Sequence, residues 1–235
     1  MEFRKILIFG ASRGLGRSIV EHLPLHVSAF QSLTLVSRKS ELLEKVREKS
    51  LSQWQNISPV IESHCFDMST LDGQEDAEAL MTFLKPDLVV YCAGGGPYGE
   101  FSSKEWKDHH WALQVGLIAP ARLSHAWLKT RLSGDENGRF IVVGSRIAEN
   151  QPDYGATSYA AAKHGLLGLI SSLQPELKQS KSKVWLFSPG YIDTEMLPPQ
   201  AVVRHNGTKI MSVGTAAQAL LRWVKMDGPW HRVLN

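Results

Sequence analysis

Apolar residues follow two rhythms along this chain, and the rhythms alternate. Short, nearly unbroken apolar runs occur at residues 5–9 (Lys5-Ile6-Leu7-Ile8-Phe9), 33–36, 60–66, 87–92, 139–144 and 184–187. Runs of that length and continuity predict strands buried on both faces, as in a parallel sheet. Between them, apolar residues recur at helical spacing over 15–22, 41–53, 73–84, 102–131 and 215–224, and in a further stretch around residue 159. In that stretch Leu166, Leu169, Ile170, Leu173 and Leu177 form one apolar stripe, with Pro175 expected to kink or interrupt the helix. Residues 230–235 offer a last edge strand. No linker, repeat or low-complexity segment breaks the alternation. It predicts a single doubly wound α/β domain over residues 1–235, with a mostly parallel sheet of six or seven strands.

The first predicted strand ends in a glycine turn, Gly10-Ala11-Ser12-Arg13-Gly14-Leu15-Gly16, that opens a helix. Glycines at such a junction permit a tight turn and let backbone approach a pyrophosphate, which rests on the positive end of the helix. Gly10, Ser12, Arg13, Gly14, Leu15 and Gly16 are therefore candidate cofactor contacts. Just past the second strand, a carboxylate would bond a ribose 2′-hydroxyl and repel a 2′-phosphate. Ser37, Arg38 and Lys39 stand there instead. A guanidinium grips a phosphate by paired bonds, so Ser37 and Arg38, with Arg13 as a second cation, point to NADP(H) over NAD(H). The third strand ends at Asp67-Met68, and the fourth opens into a glycine cluster, Gly94-Gly95-Gly96. A ligand is expected at such strand ends, near the reversal point of the sheet. These features describe a Rossmann-type domain.

Tyr159-Ala160-Ala161-Ala162-Lys163 carries the candidate chemistry. Helical spacing sets a tyrosine and a lysine four residues apart on one face. A nearby ammonium favours the phenolate, bringing Tyr159 below the ordinary tyrosine pKa of about 10 and making it a better acid/base. That suits proton transfer to a carbonyl oxygen while hydride arrives at the carbon.

Composition narrows the surroundings of this chemistry. With 43% hydrophobic and 21% charged residues, the chain is an ordinary globule and not a disordered or membrane protein. The formal charge of +3 is spread out, apart from residues 178–183, which read as a solvated helix end, so no nucleic-acid footprint is expected. Cys65 and Cys92 have neither disulfide nor metal-ligand spacing and are read as small core residues in a reducing compartment. Met1-Glu2-Phe3-Arg4-Lys5 runs straight into a strand, with no apolar stretch suited to a signal peptide or membrane span. A cytoplasmic location without membrane or metal is the expectation.

These pieces together resemble the short-chain dehydrogenases/reductases along essentially the whole chain. The matching residues are Gly10-x-x-x-Gly14-x-Gly16, Asp67, Ala93-Gly94, Tyr159-x-x-x-Lys163 and Pro189-Gly190-x-x-x-Thr194, in the family's order. The resemblance implies that Asp67 bonds the adenine amino group and Met68 covers the ring. Cys92, Ala93 and Gly94 join the cofactor-binding residues. The backbone of Pro189, Gly190 and Ile192, with Thr194, holds the nicotinamide amide and phosphate, and Lys163 also bonds the nicotinamide ribose.

Three positions depart from the family. Cys92 replaces the asparagine of Asn-Ala-Gly. In Val115-Gly116-Leu117-Ile118-Ala119-Pro120, Gly116 replaces an asparagine that holds a water of the proton relay. Glycine inside a helix also costs about 1 kcal/mol relative to alanine. The serine that orients the substrate carbonyl falls at Arg146, with Ser145 one step earlier, and one step turns a side chain of an extended segment to the other face. Either Ser145 or Arg146 is expected to polarise the substrate oxygen, unless Arg146 pairs with a surface acid such as Glu149.

The resulting expectation is NADP(H)-dependent hydride transfer to or from a small-molecule carbonyl or alcohol, with catalytic residues Tyr159, Lys163, Ser145 and Arg146. The alternative is a catalytically weakened or inactive NADP(H)-binding regulatory module, motivated by Gly116 and Cys92. Surplus apolar residues in 102–131 and in the helix after Tyr159 predict a homodimer or homotetramer. The short segment 195–211, with Pro198, Pro199, Arg204 and His205, is expected to cover the substrate.

Overall fold

The computed structural model describes residues 2–27, 30–54, 59–131, 137–148, 154–197, 199–226 and 228–234. Its strands are β1 (Lys5–Phe9), β2 (Ser32–Ser37), β3 (Val60–Cys65), β4 (Leu88–Tyr91), β5 (Gly138–Val143), β6 (Ser182–Pro189) and β7 (His231–Leu234). They form one seven-stranded sheet in the order β3-β2-β1-β4-β5-β6-β7, and every neighbouring pair is parallel. The helices are α1 (Gly14–His22), α2 (Ser40–Gln53), α3 (Leu71–Leu84), α4 (Trp106–Leu113), α5 (Ala119–Arg131), α6 (Thr157–Leu173) and α7 (Val213–Val224).

The continuous apolar runs are explained by helices on both faces of the sheet. Along β1, Ile6 and Ile8 point into one core layer while Leu7 and Phe9 point into the other. In β4 the same alternation sends Leu88 and Val90 one way, Val89 and Tyr91 the other, and β6 divides Trp185 and Phe187 from Val184 and Leu186. The first layer is closed by residues of α1, α2 and α7, the second by residues of α3, α5 and α6. Between β1 and β4 the winding reverses, and a crevice opens at the carboxyl ends of these strands. No described helix is long and apolar enough to cross a membrane.

Several sequence expectations shift. Helix α3 begins two residues before the expected start because the Thr70 hydroxyl accepts the Gly73 N–H, and Ser212 caps α7 through Thr215 in the same way. Helix α6 ends at Leu173, before Pro175, and Leu177 is buried from the turn that follows. Residues 178–181 lie in that turn and its exit, not at a helix end, while Lys183 belongs to β6. Cys65 is exposed, against its expected core place, because β3 is an edge strand with a largely uncovered face.

The region 102–131 is not one helix. Between α4 and α5 lies a π-helical turn, Gln114–Ile118, in which the Ala119 N–H reaches the Gln114 carbonyl. Pro120 explains the break: it has no N–H for the carbonyl four residues back, at Gly116, and losing one rung widens the helix. A Cβ on Gly116 would stand 2.9 Å from the Ala162 Cβ, so α6 approaches this turn more closely than a side chain allows. Gly116→Asn is expected to destabilise the protein by about 1–3 kcal/mol through overpacking. Denaturant midpoints measure it, and an unchanged or raised midpoint would show that α6 yields freely.

Candidate active site

The site is built where β1 and β4 leave the sheet. Gly10 has φ of +78°, and a Cβ there would lie 2.7 Å from the Ala93 backbone nitrogen. A Cβ on Gly16 would lie 2.2 Å from the Gly10 carbonyl oxygen. Only glycine allows both approaches, and they press the glycine turn against the end of β4. Gly10 and Ala11 donate their N–H groups to the Val36 carbonyl at 2.8 and 3.2 Å, and Ser37 donates to the Ser12 hydroxyl at 2.7 Å. These bonds fix the turn to β2. Arg13 precedes α1 without a capping side-chain bond, and the first turn of α1, which includes Leu15, carries no acid. Its N–H groups and dipole therefore face an anion-friendly space.

Other candidate residues converge on the same crevice. Gly14 faces Thr194, whose methyl would lie 3.6 Å from a Cβ at that position. Asp67 accepts the backbone N–H and hydroxyl of Ser69 at 2.9 and 2.7 Å, and Met68 is buried beside it. Arg38 is exposed at the end of β2, and its guanidinium carbon lies 4.9 Å from the ring centroid of Trp111 in α4.

Helix α6 brings Tyr159 and Lys163 to one face, with the Lys163 ammonium 5.5 Å from the Tyr159 ring centroid. Lys163 is buried and donates to the Val143 carbonyl at 2.7 Å. Burial lowers its pKa to about 8. Gly94 and Gly96 pack against this pair: a Cβ on Gly94 would lie 3.4 Å from the Lys163 nitrogen, and one on Gly96 3.2 Å from the Tyr159 Cβ. Cys92 is half-buried, and burial pushes its thiol up to about 12 despite the opposing pull of Lys163. Cys92 is thus a neutral thiol beside a cation, with its own N–H donated to the Phe9 carbonyl.

At the other side of the crevice, Gly190 donates its N–H to the Leu234 carbonyl of β7 at 2.8 Å. Ile192 bridges Met211, and Asp193 donates its N–H to the Met211 carbonyl, so both ends of segment 195–211 are tied together. Arg204 joins that segment to Asp193 at 2.8 Å. Arg146 lies against Gly190, with its guanidinium carbon 6.0 Å from the Tyr191 ring centroid. The Ser145 hydroxyl accepts the Ile147 N–H at 3.4 Å. Glu149, the alternative partner named for Arg146, and Pro198 lie outside the described residues.

Three contributors had no sequence signal. The Val143 carbonyl holds the lysine, Trp111 meets Arg38, and His109 braces the first turn of α6. His109 is buried, with its ring nitrogens 2.7 Å from the Ser158 hydroxyl and 2.9 Å from the Phe101 carbonyl. The Phe101 carbonyl accepts from one ring nitrogen, and the other is bonded to the hydroxyl of Ser158, directly before Tyr159.

The fold and crevice define a doubly wound protein of the dinucleotide-binding kind. The family model described as short chain dehydrogenase matches residues 4–202. The chain belongs to that family. It is 28% identical over 227 residues to the PIGF/3-ketodihydrosphingosine reductase fusion protein of Schizosaccharomyces pombe, covering 92% of this chain but only 44% of the fusion. It is also 28% identical to the 3-oxoacyl-(acyl-carrier-protein) reductase FabG of Salmonella typhimurium, over 81% of this chain and 74% of the relative. Among solved structures, a short-chain dehydrogenase from Sphingobium yanoikuyae in complex with NADPH superposes with a TM-score of 0.83. That match is 20% identical and covers 98% of this chain and 87% of the other.

The lysine gives a test free of any substrate. Its pKa in the fold is about 8, below the ordinary 10.5. Burying the ammonium therefore costs most below pH 8, and the cost fades as pH rises from there towards the ordinary value. Relative to Lys163→Met, the protein should gain stability over that window, by on the order of 3 kcal/mol in full. Denaturant midpoints of the two proteins that run parallel with pH would show that Lys163 does not titrate there.

Proposed function

We propose that the protein is an NADP(H)-dependent oxidoreductase that moves hydride between the nicotinamide and a small carbonyl or alcohol. The observation that carries this reading is the buried Lys163 ammonium beside Tyr159, at the crevice that the glycine turn closes. The cofactor, when bound, supplies or takes the hydride. The uncapped start of α1, with Gly10 and Gly16 giving backbone access and Thr194 opposite Gly14, suits the pyrophosphate. Arg38 and Ser37, with Arg13, suit a 2′-phosphate, and Asp67, Met68, Cys92, Ala93 and Gly94 suit the adenosine side. Pro189, Gly190 and Ile192 suit the nicotinamide amide. NADPH in the Sphingobium structure supports the choice of nucleotide.

In reduction, Tyr159 donates its phenolic proton to the substrate oxygen as that oxygen gains charge. Lys163 holds its ammonium near the ring and so stabilises the tyrosinate that remains. Its bond to Val143 fixes the ammonium in place before the substrate arrives, so little reorganisation is needed. Arg146, at the Gly190–Tyr191 loop, lends positive charge to the developing alkoxide, and the Ser145 hydroxyl assists. The exposed Phe101, Trp106 and Tyr154 near α4 and α6 support assembly as a homodimer or homotetramer.

Consumption of NADPH with a panel of small aldehydes and ketones tests the reading. NADPH should bind at least about tenfold more tightly than NADH, a difference of about 1.4 kcal/mol. Tyr159→Phe should lower turnover by about 10²–10⁴. Arg146→Ala should lower it by about tenfold to a thousandfold and Ser145→Ala by less than about tenfold. Collapse of Ser145→Ala with an unchanged Arg146→Ala would assign the oxygen to the serine instead. Binding of NADPH without turnover on the whole panel would make the protein a nucleotide-responsive module.

A further inference from the structure

We propose that Trp111 is a positioning residue for the cofactor's 2′-phosphate, acting through Arg38; this rests on the NADP(H) reading. The two residues come from opposite sides of the crevice, Arg38 from the loop after β2 and Trp111 from α4 after the winding has reversed. They meet with the guanidinium carbon 4.9 Å from the indole centroid. A guanidinium over an aromatic ring engages through its flat face, while its N–H donors point outward in the plane. Stacked on Trp111 in that way, Arg38 would keep available the edge that grips a phosphate in paired bonds. A carboxylate partner would instead occupy that edge, and among the described residues Arg38 has no such ion pair.

The surroundings show that the ring is the fixed partner and the arginine the one being held. Arg38 is exposed, and a long exposed side chain loses much rotamer freedom when a ligand immobilises it. Holding it beforehand removes part of that cost from binding. Trp111 is half-buried against the second core layer, and the edge of its ring lies 3.3 Å from where a Cβ on Gly95 would stand. Its ring N–H is buried with no hydrogen-bond partner among the described residues, so packing fixes the indole. The base of the arginine loop is also pinned, since Ser37 accepts the Lys39 N–H and donates to Ser12 in the glycine turn. Backbone from one side and an aromatic face from the other therefore fix where the charge sits.

A residue acting only as a wall of the crevice would affect both dinucleotides alike. A residue acting through Arg38 affects the phosphorylated one. Calorimetric titrations with NADPH, NADH and 2′,5′-ADP separate these cases. Trp111→Leu is expected to weaken NADPH and 2′,5′-ADP by about tenfold, equal to about 1.4 kcal/mol, and NADH by less than about twofold. Trp111→Phe, which keeps an aromatic face, should restore most of the loss. In an Arg38→Ala background, Trp111→Leu should add less than about twofold for NADPH, because the effect passes through the arginine.

Equal losses for NADPH and NADH, no loss for either, or a full loss persisting without Arg38 would overturn the proposal. If the leucine variant does not fold, fluorescence decides: the emission lost in Trp111→Phe should respond to 2′,5′-ADP and not to 5′-AMP. An equal response to both would overturn the proposal. Absence of binding of either dinucleotide to the unaltered protein would sink the nucleotide reading itself, an outcome distinct from all of these.

Discussion

Where β1 and β4 part, two pieces of backbone must share a space too narrow for a side chain. Gly10 sits with its missing Cβ 2.7 Å from the Ala93 nitrogen, and Gly16 folds back onto the Gly10 carbonyl. The approach depends on β1 and β4 being paired neighbours, with Phe9 opposite Tyr91, so both strands release their chains at the same level. It also depends on β2, whose Val36 carbonyl takes the N–H groups of Gly10 and Ala11. Three strands with separate positions in the chain are thereby locked to one level. The start of α1, the arginine loop and the glycine cluster after β4 inherit their places from that lock.

A second constraint follows from burying a charge. Lys163 has left water, and this burial lowers its pKa. It donates to a neutral carbonyl, that of Val143, and among the described residues no carboxylate is paired with it. A carboxylate would bind the ammonium more tightly and weaken its hold on a nearby phenolate. Cys92 fits this economy of charge, because burial keeps its thiol neutral beside the lysine. Substitution of an asparagine by cysteine thus removes hydrogen-bonding capacity without adding a competing anion.

Much of this was readable in the sequence, for identifiable reasons. Strands in a parallel sheet write themselves as nearly unbroken apolar runs, and all seven strands, the edge strand β7 included, lie within a few residues of their expected places. The glycine turn and the Tyr159–Lys163 pair are local patterns, so their geometry follows from neighbouring residues. The errors fell where a local pattern yields to a partner or a missing bond. Thr70 and Ser212 moved helix starts by capping them, Pro120 opened a π turn, and Cys65 lost its cover because β3 has no outer neighbour. What links Trp111 to Arg38, or His109 to Ser158, is a meeting between distant segments that no spacing announces.

The departure at Gly116 shows how a lost side chain and a gained contact can be the same event. Pro120 has already cost the helix one rung, and the π turn places residue 116 against α6. There a Cβ would meet Ala162, the residue directly before Lys163. An asparagine at 116 would bring a polar group but hold α6 away. Glycine gives up that group and lets the two helices close on the turn that presents Lys163. On the other side of the same helix start, His109 joins Ser158 to the Phe101 carbonyl. The first turns of α6 are therefore gripped before and after Tyr159, by a buried hydrogen-bond chain and by backbone packing. Rigid placement of Tyr159 and Lys163 is thus achieved by contact, without a side chain at position 116.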